Sequence, residues 1–246
     1  MAIKALLQKV TRKEAKKGIT AGEVILSTHQ LCKSYQTPHG NLKVLKGVDL
    51  EIKEGEMSMI VGRSGSGKST LLHLLGGLDR ATLGKIFFKD RDLSHLNDRQ
   101  ISEYRLKHVG FVFQFYHLLP ELTLLENVLL PTMINGGRDQ KRAKILLSRV
   151  GLSGRADHYP SELSGGELQR TAIARALMNQ PDIVLCDEPT GNLDEQTADQ
   201  VFDLLIQLQK EEKTTFVIVT HESALTAYAQ SIYELRDGVL EKIRKI

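Results

Sequence analysis

An eight-residue segment of the chain matches the phosphate-binding pattern G-x-x-x-x-G-K-[ST]. It reads Gly62-Arg63-Ser64-Gly65-Ser66-Gly67-Lys68-Ser69, and Thr70 follows it. The glycines leave backbone N–H groups free to surround phosphate oxygens, and a helix starting at Lys68 would add positive potential. Lys68 would neutralise the β- and γ-phosphates, and the Ser69 hydroxyl would bind Mg²⁺. We therefore predict a nucleoside triphosphate site at residues 62–70, because a bare glycine-rich turn would leave the flanking strand and helix patterns unexplained.

Two adjacent carboxylates, Asp187 and Glu188, follow the apolar run at 183–186. A nucleotide-bound Mg²⁺ needs an acidic ligand, and Asp187 is the candidate. Glu188 would orient and polarise the water that attacks the γ-phosphate. Neighbouring residues of a strand point to opposite faces, so we expect the two side chains to have different roles. The alternative is an acidic pair that only ends a strand.

A third motif, Leu163-Ser164-Gly165-Gly166-Glu167, opens a helix with apolar periodicity. Ser164 and Glu167 have the spacing of a capping box, and the two glycines leave the first N–H groups open to an anion. Spacing alone does not choose between an anion site and a helix that is merely well capped.

Short β-rich runs alternate with helical patterns around these motifs. We expect strands at 57–61, 86–88, 109–113, 182–186, 214–219 and 231–235, and helices from Lys68, near Asp98 and near Glu195. Residues 115–180 contain no convincing strand pattern and are predicted to be helical, with breaks at Gly136-Gly137 and Gly151. This order indicates an α/β fold with a mostly parallel sheet, helices on both faces and a helical insertion.

The composition is that of one globular domain. The 246 residues are 41% hydrophobic and 26% charged, which excludes a disordered chain, a collagen-like repeat and a disulfide scaffold. The longest apolar runs fall far short of the roughly 18 to 20 residues that cross a bilayer, so we expect any membrane role to come through a partner. Cys32 and Cys186 lie in strand-like runs and are expected to be buried free thiols.

The positive charge is concentrated at the start of the chain. Residues 1–17 contain six basic residues and one acidic residue, a local charge of +5, which leaves −2 for the rest because the total is +3. A chain body of that charge argues against a nucleic-acid partner. Ile3, Leu6, Leu7 and Val10 have helical spacing, so this leader is either a basic amphipathic helix on an anionic membrane or a loosely attached tail. It lacks a signal-peptide core, and we expect a cytoplasmic protein.

The ordered set of motifs resembles that of ATP-binding cassette (ABC) ATPases from about Glu23 to the C-terminus. The set comprises the phosphate loop, Gln114, LSGGE at 163–167, Asp187-Glu188, Gly191-Asn192-Leu193-Asp194 and His221. The resemblance implies a P-loop NTPase (RecA-like) α/β core at about 23–114 and 181–246. It also implies an N-terminal antiparallel β subdomain and an inserted helical subdomain at about 115–180, with residues 1–22 as a basic extension.

The same resemblance implies roles for individual residues and for a dimer. Two copies would meet head to tail, each ATP lying between one copy's phosphate loop and the Ser164, Gly165 and Gly166 of the other. Tyr35 would stack on adenine, unless it is a tyrosine packed in the core. Gln114 would sense Mg²⁺ and the attacking water, unless it is only a polar loop residue. His221 would contact the γ-phosphate, and Asp194 would connect the two ATP sites.

Closer features resemble the ATPases of lipoprotein-releasing transporters and, more broadly, the MacB-type group. They lie at residues 73–79, 113–120, 126–128 and 189–194, while Leu168 and the basic leader depart from the pattern. By this resemblance a separate integral membrane permease would bind beside Gln114. The apolar run 115–119 is the candidate contact, unless it is a loop buried inside the domain. The chain would lie peripherally on the cytoplasmic face of the inner membrane.

Rival functions stay open at this point. They include a MacB-like drug or peptide exporter and the ATPase of a cell-division-associated complex. A non-transport ABC ATPase of chromosomes or ribosomes usually has a long coiled-coil insertion or two cassettes, whereas this chain has one phosphate loop and no sustained heptads. A simple P-loop kinase or GTPase would leave LSGGE and His221 unexplained.

Overall fold

The computed structural model describes residues 22–38 and 40–245 of the chain. The leader at 1–17, with its two alternatives of membrane-surface helix and attached tail, lies outside these residues. Within the described part, no helix combines the length and the apolar character needed to cross a membrane.

Ten strands and six α-helices alternate along the described chain. The strands are β1 Val24–Thr37, β2 Gly40–Lys53, β3 Met57–Val61, β4 Leu83–Phe88, β5 Arg91–Asp92, β6 Val109–Val112, β7 Ile183–Asp187, β8 Thr215–Thr220, β9 Ser231–Arg236 and β10 Val239–Lys245. The helices are α1 Lys68–Leu75, α2 Asp98–His108, α3 Leu124–Ile134, α4 Gln140–Arg149, α5 Gly165–Ala176 and α6 Glu195–Glu212. Short 3₁₀ turns occur at Ser153–Arg155, Pro160–Glu162 and Ser223–Tyr228.

The central sheet has six strands in the order β10-β9-β3-β8-β7-β6. All neighbouring pairs are parallel except β9 with β10. Every residue of β8 is buried, which requires cover on both faces of the sheet. The predicted α/β sheet is therefore confirmed. Val61 pairs with Thr220 and Asp187 with Val219, so β3, β7 and β8 end at one edge.

A second, antiparallel sheet has the order β2-β1-β4-β5. Its inward side chains, such as Leu26 and Leu50, share a hydrophobic core with α1 and one face of the central sheet. This sheet confirms the antiparallel β subdomain that the resemblance implies, and the strand-like run around Cys32 lies in β1. Cys32 in β1 is only half-buried, which corrects its expected burial, since it alternates with the core residue Leu31. Cys186 in β7 is buried as expected.

The fully described segment 115–180 contains helices and no strand, as predicted. Apolar residues of α3, α4 and α5 form a second core with α6 and the other face of the central sheet. Gly136 and Gly151 lie just past the ends of α3 and α4 with φ values of 79° and 75°, the left-handed conformation that ends helices. The predicted breaks are therefore confirmed.

Candidate functional site

The carboxyl edge of the central sheet gathers most of the predicted site residues. The phosphate loop follows β3, Asp187 ends β7, His221 follows β8, and Gln114 comes two residues after β6. Parallel strands present their carboxyl ends at the same edge, which is where open α/β sheets bind ligands. The strand order thus gathers at one edge residues that are far apart in the sequence. The first and last of them, Gly62 and His221, are 159 positions apart.

Lys68 is the best-anchored residue of the phosphate loop. Its Nζ donates hydrogen bonds to the carbonyl oxygens of Gly62 at 2.9 Å and Arg63 at 3.2 Å, and the side chain is 5% exposed. Gly67 precedes α1 with a φ of 103°, a conformation that favours glycine. The Ser66 hydroxyl is buried and has no hydrogen-bond partner within the described residues. An ammonium, an unpaired hydroxyl and a helix N-terminus together suit a bound anion.

Ser69 and Asp187 bring two oxygen ligands together. Ser69 Oγ donates a hydrogen bond to Oδ1 of Asp187 at 2.9 Å. Burial raises the pKa of Asp187, and this effect outweighs the opposing hydrogen bond from Ser69 and the nearby His73. The Nε2 of His73 lies 4.0 Å from Oδ2 of Asp187. A hydroxyl beside a carboxylate is the kind of hard oxygen donor set that Mg²⁺ prefers, so these two residues fit the expected metal.

The Glu188 carboxylate lies between a lysine and a histidine. Its Oε1 is 3.5 Å from Lys68 Nζ, and its Oε2 is 3.0 Å from Nδ1 of His221. The strand ends at Asp187, and Glu188 adopts a left-handed backbone with φ of 44°. The expectation that strand alternation separates the Asp187 and Glu188 side chains is therefore wrong. A turn of the backbone at Glu188 separates them instead. Such a conformation at a non-glycine residue costs energy and is concentrated at functional sites.

Gln114 is held by Asn192 in the loop that follows β7. Its Nε2 donates to Oδ1 of Asn192 at 3.0 Å, and Asn192 Nδ2 donates back to the carbonyl oxygen of Gln114 at 3.1 Å. A Cβ placed on Gly191 would lie 3.0 Å from Gln114 Nε2 and 3.4 Å from Glu188 Oε2. Gln114 and Glu188 therefore border the same small space.

The LSGGE segment begins α5 with the predicted capping box. The Glu167 N–H donates to Ser164 Oγ, and the Ser164 N–H donates to the Glu167 carboxylate. The hydrogen bond from the Ser164 backbone lowers the pKa of Glu167. Gly166 is packed so closely against α6 that a Cβ would lie 2.4 Å from Cγ2 of Thr197. The start of α5 thus lies beside Leu193 and Thr197, with Gly165 also close to the Tyr116 hydroxyl.

Asp194 is the N-cap of α6. Its Oδ1 accepts a hydrogen bond from the Thr197 N–H at 3.0 Å. Hydrogen bonds from the Thr197 side chain and backbone lower the pKa of this carboxyl, so it is ionised at neutral pH. Asp194 is exposed to solvent.

Tyr35 lies on the outer part of the antiparallel sheet, next to α1. It is 38% exposed, so the alternative of a tyrosine packed in the core is wrong. Its hydroxyl donates a hydrogen bond to Oδ2 of Asp79 at 2.8 Å. Tyr35 is thereby tied to the loop that follows the helix carrying Lys68.

The apolar run 115–119 is a surface loop and not a buried one. Phe115 is 68% exposed and Leu119 46% exposed. The two residues between them with left-handed backbones, Tyr116 and His117, have φ values of 60° and 49°. Arg175 of α5 donates hydrogen bonds to the carbonyl oxygens of both, and burial lowers its pKa to about 10. Helix α5 therefore fixes the conformation of this loop.

The sequence analysis assigns no role to three residues that contact site residues, namely Arg175, His73 and Asp79. His73 and Asp79 lie in the segment 73–79 that carries the resemblance, but that segment does not indicate which residues they contact. One weak signal exists for Lys33, which is two residues before Tyr35 and so shares its face of β1.

Comparison with known proteins gives a consistent picture. A family model described as ABC transporter matches residues 45–191. The chain is 49% identical to the lipoprotein-releasing system ATP-binding protein LolD of Alcanivorax borkumensis, over 89% of this chain and 97% of that protein. It is 46% identical to the protein of the same name from Idiomarina loihiensis, over 89% of this chain and 98% of that protein.

Solved structures of ATP-binding cassettes have the same fold. A dimeric post-hydrolysis structure of the cassette MJ0796 with ADP and Pi superposes with a TM-score of 0.82 at 39% identity, covering 90% of this chain and 100% of that one. A second dimeric structure of MJ0796, a bacterial ABC transporter cassette, gives a TM-score of 0.81 at 40% identity over the same shares of the two chains.

Proposed function

Because the chain belongs to the ABC transporter family and is an ATPase subunit of it, we propose that it powers lipoprotein release through a separate membrane permease. Relatives named LolD, 46% to 49% identical along nearly their whole length, support the cargo. The observation that carries the enzymatic part is the contact of Glu188 with both Lys68 and His221 at the carboxyl edge of the sheet.

ATP would bind with its phosphates on the loop of residues 62–70 and its base against Tyr35. Lys68 already directs its ammonium into this loop, where carbonyl oxygens of Gly62 and Arg63 orient it. Mg²⁺ would be held by Ser69 and Asp187, with Gln114 nearby, and when bound it would neutralise charge on the phosphates. Loop N–H groups would cradle the phosphate oxygens.

Hydrolysis would proceed by attack of water on the γ-phosphorus, with cleavage of the bond to the bridging oxygen of ADP. Glu188 would accept a hydrogen bond from that water and align it. His221 shares a hydrogen bond with the same carboxylate, and because a carboxylate only accepts, the imidazole proton lies on Nδ1. Lys68 would balance the charge that shifts toward ADP.

A head-to-tail dimer would complete each ATP site. Ser164, Gly165 and Gly166 form a capped helix start whose N–H groups suit a phosphate, and Asp194 lies exposed nearby. The two dimeric MJ0796 structures support dimerisation of this chain by similarity. ATP shared between two copies would hold the dimer closed, and phosphate release would open it.

The permease would dock on the surface loop 115–119, whose exposed Phe115 and Leu119 follow Gln114 closely. Docking there would connect the membrane partner to the residue that borders Glu188. The chain would accordingly act at the cytoplasmic face of the inner membrane, with contact to the bilayer through its partner. We retain the boundaries 23–114 with 181–246 for the catalytic core and 115–180 for the helical subdomain as part of this proposal.

Reconstitution tests the proposal directly. The chain should co-purify from membranes with a permease that has a large extracytoplasmic domain, and the complex in proteoliposomes should release an embedded lipoprotein when ATP is added. The Glu188→Gln variant, which keeps the shape of the side chain, should bind ATP and form a dimer without releasing lipoprotein. Recovery with a ribosomal or chromosomal partner, or ATP-driven movement of a drug or peptide instead, would contradict the proposal.

A further inference from the structure

The Asp79 carboxylate, in the loop after α1, lies between Lys33 and Tyr35 of β1. Its Oδ1 accepts a hydrogen bond from Lys33 Nζ at 2.7 Å, and its Oδ2 accepts one from the Tyr35 hydroxyl at 2.8 Å. The loop brings Asp79 there because the chain turns back after α1, with the Leu78 N–H donating to the His73 carbonyl oxygen at 2.8 Å. Both carboxylate oxygens are thus used to hold neighbours on one strand.

Lys33 also covers one face of the Tyr35 ring. Its Nζ lies 4.6 Å from the ring centroid, within the range of a cation–π contact. Lys33 is only 8% exposed, and its ammonium donates a further hydrogen bond to the Arg80 carbonyl oxygen at 2.8 Å. Because this face of the ring is occupied, a planar base can stack only on the opposite face.

The charge states of the cluster agree with this geometry. Burial raises the pKa of Tyr35, and the hydrogen bond to Asp79 raises it further, so the phenol keeps its proton at neutral pH. Burial opposes ionisation of Asp79, but hydrogen bonds from Lys33, Tyr35 and the Arg80 backbone lower its pKa overall. An ionised Asp79 as acceptor and a neutral Tyr35 phenol as donor are the forms that make the observed hydrogen bond between them.

The far end of the ring lies beside the phosphate-binding helix. Burial raises the pKa of Tyr35, and the neighbouring Thr70 side chain opposes that rise, while Thr70 lies two residues after Lys68. The hydroxyl is therefore held by Asp79 from the loop after α1 and lies next to the start of the same helix.

We infer that Asp79 is a positioning residue which, with Lys33, holds the Tyr35 ring in the orientation that accepts the base of the nucleotide. The inference rests on the proposed stacking role of Tyr35 and extends it to residues that do not touch the nucleotide. A ring that is already oriented loses little freedom on binding, so the cluster contributes to affinity for the base and not to phosphate chemistry. Uniform binding of this kind lowers KM and leaves kcat unchanged.

Inorganic tripolyphosphate separates the two parts of the site, because it carries the phosphates without a base. In the full chain with Mg²⁺, we expect Asp79→Ala to raise the KM for ATP about fivefold while kcat changes less than about twofold. Tyr35→Ala should raise it roughly tenfold or more, since stacking of a base on an aromatic ring is worth about 1–3 kcal/mol. Neither variant should change inhibition by tripolyphosphate more than about twofold. Asp90→Ala, which removes an exposed carboxylate in the turn between β4 and β5, is the matched control and should leave the KM for ATP unchanged.

Asp79→Asn and Lys33→Met keep the test decisive if Asp79→Ala does not fold. Each removes one charge of the pair at nearly constant shape and should raise the KM for ATP in the same direction. An unchanged KM in the Asp79 and Lys33 variants, with a raised KM in Tyr35→Ala, overturns the positioning role alone. A KM unchanged in Tyr35→Ala overturns the stacking role and this inference with it. Equal weakening of ATP and tripolyphosphate would assign Asp79 to the phosphate loop and also overturn it.

Discussion

Oε2 of Glu188 lies 3.0 Å from Nδ1 of His221, although the two residues follow different strands and are 33 positions apart. The same carboxylate offers its other oxygen to Lys68 at 3.5 Å. A water hydrogen-bonded to Glu188 would therefore be aligned by a group that is itself held from two sides. Loss of either partner would allow the Glu188 carboxylate to turn away from that water.

Replacing His221 by alanine should remove the contact that orients Glu188. We expect kcat for ATP hydrolysis to fall about 100-fold or more, the usual scale for loss of a positioned acid–base partner, while ATP affinity changes less than about tenfold. Steady-state kinetics and nucleotide titration measure the two effects. His95→Ala is the control, because His95 is 80% exposed and lies in a different loop. A variant that retains most of the parental kcat would show that Glu188 needs no support from His221.

Replacing Asp187 by asparagine should separate stability from function. Burial raises the pKa of Asp187, so the folded protein binds this proton more tightly than the unfolded chain does. The ionised carboxyl therefore destabilises the fold at neutral pH, and the penalty disappears as pH falls below the ordinary carboxyl range. Without Mg²⁺ and nucleotide, Asp187→Asn should melt at a higher temperature than the parent near neutral pH and at the same temperature near pH 4, roughly the unperturbed carboxyl pKa.

The same substitution should abolish Mg²⁺-dependent turnover, because asparagine replaces the charged oxygen ligand. Thermal melts from about pH 4 to pH 8 and ATPase assays on the same samples check both effects. A lower melting temperature for Asp187→Asn at neutral pH, or full activity, would refute the assignment.

Replacing Asn127 by alanine should destabilise the helical segment. Asn127 is fully buried, donates to the carbonyl oxygens of Leu119, Leu122 and Thr123, and accepts a hydrogen bond from the Leu119 N–H. Removing its amide leaves buried backbone groups without partners, so we expect a loss of about 2–3 kcal/mol in the free energy of unfolding. Urea titration followed by circular dichroism measures this, with the exposed Asn135→Ala as control. Equal unfolding midpoints for the two variants would contradict the prediction.

Replacing Arg175 by methionine should loosen the surface loop 115–119. Two hydrogen bonds to the left-handed residues Tyr116 and His117 disappear, and methionine preserves much of the buried stem. We expect chymotrypsin to cut after Phe115 about tenfold faster, because local opening governs cleavage when it is fast. Mass spectrometry of timed digests identifies the site. The control Lys144→Met, on the exposed side of α4, should be digested at the same rate as the parent. If Arg175→Met is also cut after Phe115 at the parental rate, contacts other than those of Arg175 hold the loop.

The chemistry of the carboxyl edge could be predicted because each part has a local signal. Lys68 lies in a defined loop pattern, and Asp187 ends an apolar run, so a parallel sheet suffices to bring them together. The left-handed turn at Glu188 could not be predicted, because it depends on how the residues after β7 pack and not on their types. The contacts of Asp79 with β1, and of Arg175 with the loop at Tyr116, join residues 44 to 59 positions apart and leave no periodic trace.

The paired hydrogen bonds between Gln114 and Asn192 link two loops of the site directly. Gln114 directly precedes the surface loop 115–119, where Phe115 is exposed, and Asn192 belongs to the turn that leads to the cap of α6. Movement of the surface loop 115–119 must therefore either break both hydrogen bonds or move the turn that contains Asn192. A displacement of the surface loop is therefore coupled to the turn that borders Glu188, the carboxylate proposed to align the attacking water.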